Sequence, residues 1–179
     1  MRLAKNVLLL ICGTQLMAEA PKKQSLTFRV SVVECGSCMY AVQQSISETK
    51  GVKDVNILPG IETLATVAFD PILVSEHQIA QSIREALPLH GTPYLASLKI
   101  QIQKGTAPDM TKSLALLRKM WAPAVRIEPV EKEPGNYVLH FEPLKTKTER
   151  PAPRGWSLAQ FTTDAKEVGL TLSLISEGQ

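Results

Sequence analysis

The segment Leu26-Thr27-Phe28-Arg29-Val30-Ser31-Val32-Val33-Glu34-Cys35-Gly36-Ser37-Cys38-Met39 decides the reading of this chain. Its first part alternates apolar and polar residues, the period of a strand with one buried face. After it the period changes, and Met39, Val42 and Ile46 recur at helical spacing. Two cysteines therefore sit where a strand hands over to a helix, Cys35 in the loop and Cys38 on the first turn. Helix-start N–H groups and the helix dipole favour a thiolate there. Two thiolates on one short loop suit a soft metal ion, or they close a disulfide.

Outward from that segment the pattern predicts a strand over 26–33, a helix over 37–49 and a stop at Lys50-Gly51. Val52, Val55 and Ile57 mark a second strand, Pro59-Gly60 a turn, and Ala65, Val67 and Phe69 a third strand. Ser75 and Gln78 form a capping box, with Val74 and Ile79 as its hydrophobic staple. Ile79, Ile83, Ala86 and Leu87 give that helix its expected buried face. A strand follows, with Tyr94, Ala96, Leu98, Ile100 and Ile102 on one side.

The rest of the chain repeats this plan. Asp109 caps a helix with Met110, Leu114, Leu117 and Trp121 on its apolar face, and Met120 is also expected in the core. Val125 and Ile127 open a strand, 133–136 is a turn, and Tyr137, Leu139 and Phe141 return. Ser157 with Gln160, and Trp156 with Phe161, repeat the box and staple. Phe69-Asp70-Pro71 recurs as Phe141-Glu142-Pro143. A diverged duplication of a βαββαβ unit follows, an α+β ferredoxin-like plan. The second copy has 105–108 where the first has its cysteines, and carries a polar loop over 145–155. Only residues 92–104 lie between the copies, room for two short strands or for one strand serving both sheets.

The first copy resembles a heavy-metal-associated domain, the module of copper chaperones, periplasmic mercury-binding proteins and the N-terminal tails of metal-exporting ATPases. The resemblance rests on Cys35-Gly36-Ser37-Cys38, Gly51-Val52-x-x-Val55, Ala65-x-Val67-x-Phe69-Asp70-Pro71, and Ile79 and Ile83. It implies that Cys35 and Cys38 bind the metal. Where the family has Gly-Met-Thr, this chain has Val32-Val33-Glu34, and Val33 is placed to plug the core. Two thiolates suit Cu(I) or Hg(II), whereas Zn(II) prefers four ligands. Glu34, beside Cys35, and His90, in the loop after the second helix, are the candidate extra ligands. His77 and His140 read as solvent-facing.

The N-terminus reads as an export signal over 1–20. Arg2 and Lys5 precede a short apolar stretch, 7–12, and Ala18-Glu19-Ala20 resembles a cleavage site. The signal takes Cys12 with it and leaves Cys35 and Cys38 in a periplasmic or secreted protein. The apolar stretch is too short to span a bilayer, and no other segment could. The expected domains are 24–92, metal-binding, and 93–179, a second ferredoxin-like domain without the cysteine pair.

The chain has 179 residues and a net charge of +3, with scattered basic residues and few aromatics. That composition argues against nucleic acid as a partner. The leading expectation is a non-enzymatic protein that captures Cu(I), Hg(II) or Zn(II) and buffers it, or passes it to a metal-exporting ATPase or other acceptor. The alternative is a thiol–disulfide oxidoreductase using Cys-Gly-Ser-Cys, similar to the Cys-Gly-Pro-Cys of thioredoxins. A third reading is an interaction module with a static disulfide.

Overall fold

The strand after the second helix organises the whole molecule. In the computed structural model, which describes residues 23–145 and 153–175, this strand runs unbroken from Leu95 to Lys104. It keeps a strict period of two: Ala96, Leu98, Ile100 and Ile102 are buried, while Ser97, Lys99, Gln101 and Gln103 face the other way. The expected export signal with Cys12, and most of the 145–155 loop, lie outside the described residues.

The elements are β1 (Gln24–Ser31), α1 (Gly36–Ser47), β2 (Val52–Leu58), β3 (Thr63–Phe69), α2 (Glu76–Glu85) and β4 (Leu95–Lys104). They continue as α3 (Met110–Trp121), β5 (Val125–Pro129), β6 (Asn136–Phe141), α4 (Leu158–Glu167) and β7 (Leu170–Leu174). The strands form one seven-stranded antiparallel sheet in the order β2-β3-β1-β4-β6-β5, with β7 also beside β4.

Register shows how β4 holds three neighbours. Leu95, Ala96 and Ser97 pair with Ser31, Val30 and Arg29 of β1. Ser97 to Gln101 pair with His140 to Asn136 of β6. Ile100 to Lys104 pair with Leu174 to Leu170 of β7. Since β7 and β6 overlap at Ile100 and Gln101, β7 must take the β1 edge. Thus β1 and β7 lie end to end along one side of β4, and one strand does the work of two. The order β2-β3-β1-β4, with α1 and α2, is the ferredoxin-like arrangement. Strands β4 to β7 follow the same rule as β5-β6-β4-β7.

The inward faces of the strands and the buried faces of α1 to α4 join in one hydrophobic cluster. Its centre is aromatic. Phe28 and Phe141 have ring centroids 5.9 Å apart, Phe141 and Trp156 5.5 Å, and Trp156 and Phe161 5.4 Å. The opposite sheet face is polar and partly open. There Thr27 bonds Thr66 (2.9 Å), Arg29 pairs with Glu62, and Lys99 pairs with Glu133 (2.9 Å).

The local signals behave as their chemistry demands. Ser75 caps α2 in a complete capping box, with Val74 and Ile79 both buried behind it. Ser157 caps α4, but its box is half made. The Gln160 amide turns away to Asp164 (2.7 Å). Two expected core positions are corrected. Leu87 is 69% exposed because α2 stops at Glu85 and the extended backbone at Ala86 turns the chain outward. Met120 is exposed on the outer side of α3, which buries Leu114 and Leu117 instead.

Because both halves pair with β4, they should unfold together. Ile100→Ala removes a fully buried side chain from that strand. It should lower stability by about 2–5 kcal/mol. Urea melts followed by circular dichroism and by tryptophan fluorescence should still coincide. Two separated transitions in the wild-type protein would contradict this.

Candidate metal centre

Pairing of Ser31 with Leu95 brings the C-terminal end of β1 to the N-terminal end of β4. The loop leaving β1 and the loop entering β4 therefore emerge at the same end of the sheet. The first carries Cys35 and Cys38, and the second carries His90.

The cysteine loop starts abruptly. Strand β1 ends at Ser31, two residues short of the 26–33 expectation, because Val32 adopts a left-handed backbone with φ of 67°. A non-glycine residue there costs roughly 1–2 kcal/mol. Val33 then packs against the core, as its plug role requires. Cys35 is the N-cap of α1. Its Sγ accepts the Cys38 N–H at 3.2 Å, and its carbonyl accepts the Met39 N–H at 3.1 Å. Sulfur thus fills the role that serine or aspartate fills in other helices. The first turn holds no acidic side chain, so no carboxylate on the helix itself opposes the N-terminal dipole that favours negative charge on sulfur.

Cys35 and Cys38 are joined as a disulfide, with Cα atoms 5.1 Å apart. Their exposure differs. Cys38 is completely buried, while Cys35 is partly open to solvent. Exposed His90 lies over them. One nitrogen of its ring and the two Sγ atoms all lie within 4.8 Å of one another. The His90 loop is anchored from below: the Leu89 N–H donates to the hydroxyl of buried Tyr94 (3.4 Å), and the Gly91 N–H to the Pro88 carbonyl (3.3 Å).

The other sequence candidates separate cleanly. Glu34 points into solvent and is not part of this three-residue group. His140 lies on the open sheet face, 3.2 Å from Glu128. His77 corrects the expectation of a solvent-facing residue, since it is 1% exposed. It lies under Phe141 and Trp156, far along the chain, and no local pattern marked it.

The matching end of the second half has no such donors. Aligned on helix caps, Asp109 takes the place of Cys35 and Lys112 that of Cys38, not the 105–108 stretch. The Asp109 carboxylate accepts the Thr111 and Lys112 N–H groups at 3.0 and 3.2 Å. Backbone fills the remaining space, because the Gly105 and Ala107 N–H groups both donate to the Gly169 carbonyl (3.0 and 2.9 Å).

A strand-to-helix loop with two adjacent sulfurs and an imidazole beside them could hold a soft cation once the sulfurs are reduced. Residues 27–87 match the model of the heavy-metal-associated domain. This part of the chain is a heavy-metal-associated domain. No curated protein matches the chain significantly. Among solved structures, the N-terminal soluble domains of Bacillus subtilis CopA are 15% identical, covering 88% of this chain and 97% of theirs at a TM-score of 0.39. The water-soluble region of the P-type ATPase CopA from the same organism is 17% identical, covering 87% and 93% at 0.40. A Bacillus anthracis str. Ames protein assigned to copper-ion binding is 27% identical, covering 37% and 93% at 0.35. Each is a distant likeness, and the domain assignment stands on the family model and the site.

The unequal exposure of the two sulfurs has a direct readout. After reduction, a bulky alkylating reagent should modify Cys35 first, and Cys38 should react only as the loop opens. Mass mapping of partially alkylated protein checks this. Equal labelling of both residues would contradict the burial difference.

Proposed function

We propose that the protein is a non-enzymatic carrier of a soft metal ion, taken up by Cys35 and Cys38 once their disulfide is reduced, with His90 as the third ligand. The observation that supports it is the convergence of both sulfurs and a His90 nitrogen within 4.8 Å. Reduction by a dithiol delivers two electrons and two protons to the disulfide and oxidises the dithiol. The metal then displaces the thiol protons.

Cu(I) fits this donor set best. It accepts two thiolates and an imidazole in a low-coordinate site, and Hg(II) is content with the two sulfurs. Zn(II) seeks a fourth ligand, and Glu34 is not gathered with the three. A partly exposed Cys35 and an exposed His90 allow an incoming thiolate to bind before the outgoing one leaves. A groove of about 450 Å³ beside the site, flanked by exposed Tyr40, Leu87 and Leu89 with Glu48 and Glu85, gives an acceptor protein a place to rest. A metal-exporting ATPase is the acceptor class that this reading favours. Residues 1–20 send the protein out of the cytoplasm. Residues 93–179 are a diverged copy of the first unit that uses β4 as its own first strand and lacks the cysteine pair.

The disulfide itself favours a second reading, a thiol–disulfide oxidoreductase. Against it, the pair follows the first strand of a ferredoxin-like unit, led by Val33-Glu34 rather than by an aromatic residue.

Reduced protein titrated with Cu(I) against a chelator should bind one equivalent. Cys35→Ser and Cys38→Ser should each abolish it. His90→Ala should weaken it by about tenfold or more, the loss of one ligand-strength interaction of about 1.4 kcal/mol, while Glu34→Ala leaves it unchanged. Weak Cu(I) binding together with turnover of a protein disulfide substrate would establish the redox reading instead.

A further inference from the structure

His77 is the buried titratable group that the metal site does not use. It sits on the first turn of α2, and its two ring nitrogens are both committed. Nε2 donates to the Glu142 carbonyl at 2.6 Å, and Nδ1 accepts the Trp156 backbone N–H at 3.1 Å. The ring also packs on Phe141, with centroids 5.4 Å apart. This pair of partners fixes the neutral tautomer with its proton on Nε2.

The partners belong to the connection between β6 and α4, and α2 holds both of its described ends, 142–145 and 153–157. Ser75 Oγ donates to the Arg154 carbonyl, and the Gln78 amide donates to the Pro153 carbonyl at 3.2 Å. Arg84 donates to the Phe141 carbonyl (2.8 Å), and the Leu144 N–H donates to Gln81 (3.0 Å). Arg154 reaches back to the Pro71 and Ile72 carbonyls, at 2.5 and 2.9 Å. Gly155 permits the close approach to the imidazole. Its φ is +62°, and a Cβ there would lie 2.3 Å from His77 Nδ1.

We propose that His77 is an acid-released latch: protonating its imidazole frees the Glu142–Trp156 connection from α2 and loosens the carboxy-terminal unit from the cysteine-bearing one. The reason is geometric. A second proton can go only on Nδ1, which faces the Trp156 N–H. Two donors would then point at each other in a site closed to water. Closure is therefore incompatible with the imidazolium.

Charged groups face the ring and its neighbours from each element packed there. On α2, Arg84 opposes protonation and Glu76 lies next in sequence. At the end of β6, Glu142 favours protonation, and on the connection Arg154 faces Glu76. Burial outweighs Glu142 and lowers the His77 pKa below the usual histidine value. Glu76 behaves oppositely, because burial raises its pKa and acid favours its folded form. The sign for His77 follows. Its latch is fully closed above the ordinary histidine pKa near 6.5. It weakens as pH falls from there to the lowered folded-state value.

The test follows the Trp156 amide in the full chain by NMR, with the His77 ring nitrogens as internal reporters. At neutral pH the ring should show the Nε2–H tautomer. Between the two pKa values, protection of the Trp156 amide, corrected for intrinsic exchange, should fall about tenfold per pH unit. His77→Gln removes the titration and should flatten that slope. Gly155→Ala should lower Trp156 protection already at neutral pH. If His77→Gln does not fold, the wild-type protein alone decides, since Trp156 protection must fall from the ordinary histidine pKa downward and level off where the His77 ring itself titrates. A slope of zero in the wild type, the same slope in His77→Gln, or a ring that titrates without moving Trp156 would overturn the latch.

Discussion

Everything in this molecule is referred to β4. Its ten residues carry backbone hydrogen bonds to three strands, and its inward side chains lie at the junction of the two helix pairs. A strand paired on both edges and buried on one face cannot slip by one residue without turning Leu98, Ile100 and Ile102 out to solvent. That rigidity fixes the end of β1 through the Ser31–Leu95 pairing and, through Tyr94, the loop that carries His90. The cysteine loop inherits its geometry from a strand that carries neither cysteine nor histidine.

The same sharing explains how two small units are one body. Each unit alone would have a thin core. Joined on β4, they enclose Phe28, Phe141, Trp156 and Phe161 in one aromatic cluster, and α2 is pinned to the β6–α4 connection by a row of polar contacts. The polar row runs through His77, a group that gains its second proton only below the ordinary histidine range, because burial lowers its pKa. The cysteine loop and the joint between the units thus occupy separate places, the first at the N-terminal end of α1 and the second along α2.

Much of this was legible in the sequence because local chemistry wrote it. The helix caps at Ser75, Asp109 and Ser157, the alternation of β4, and the cysteine step between strand and helix all act within a few residues. What the sequence left open was set by long-range pairing. Whether 92–104 held one strand or two depended on β1 and β7 dividing one edge of β4. His77 looked like any polar residue on a helix's first turn, and only Glu142 and Trp156, brought from the other half, make it a buried one. Leu87 and Met120 were misplaced because apolar character alone says nothing of where a helix ends or which neighbour covers it. At the candidate site, the adjacency of Cys35 and Cys38 was readable from spacing. That His90 rather than Glu34 lies beside them was not, since it depends on which loop leans over the sulfurs.

The most direct test of this account is the X-ray absorption spectrum of the reduced full chain loaded with one equivalent of Cu(I). The account predicts a first coordination shell of two sulfurs and one imidazole nitrogen, the nitrogen vanishing in a His90 variant. A shell without nitrogen, or a protein that retains no copper after reduction, would contradict it.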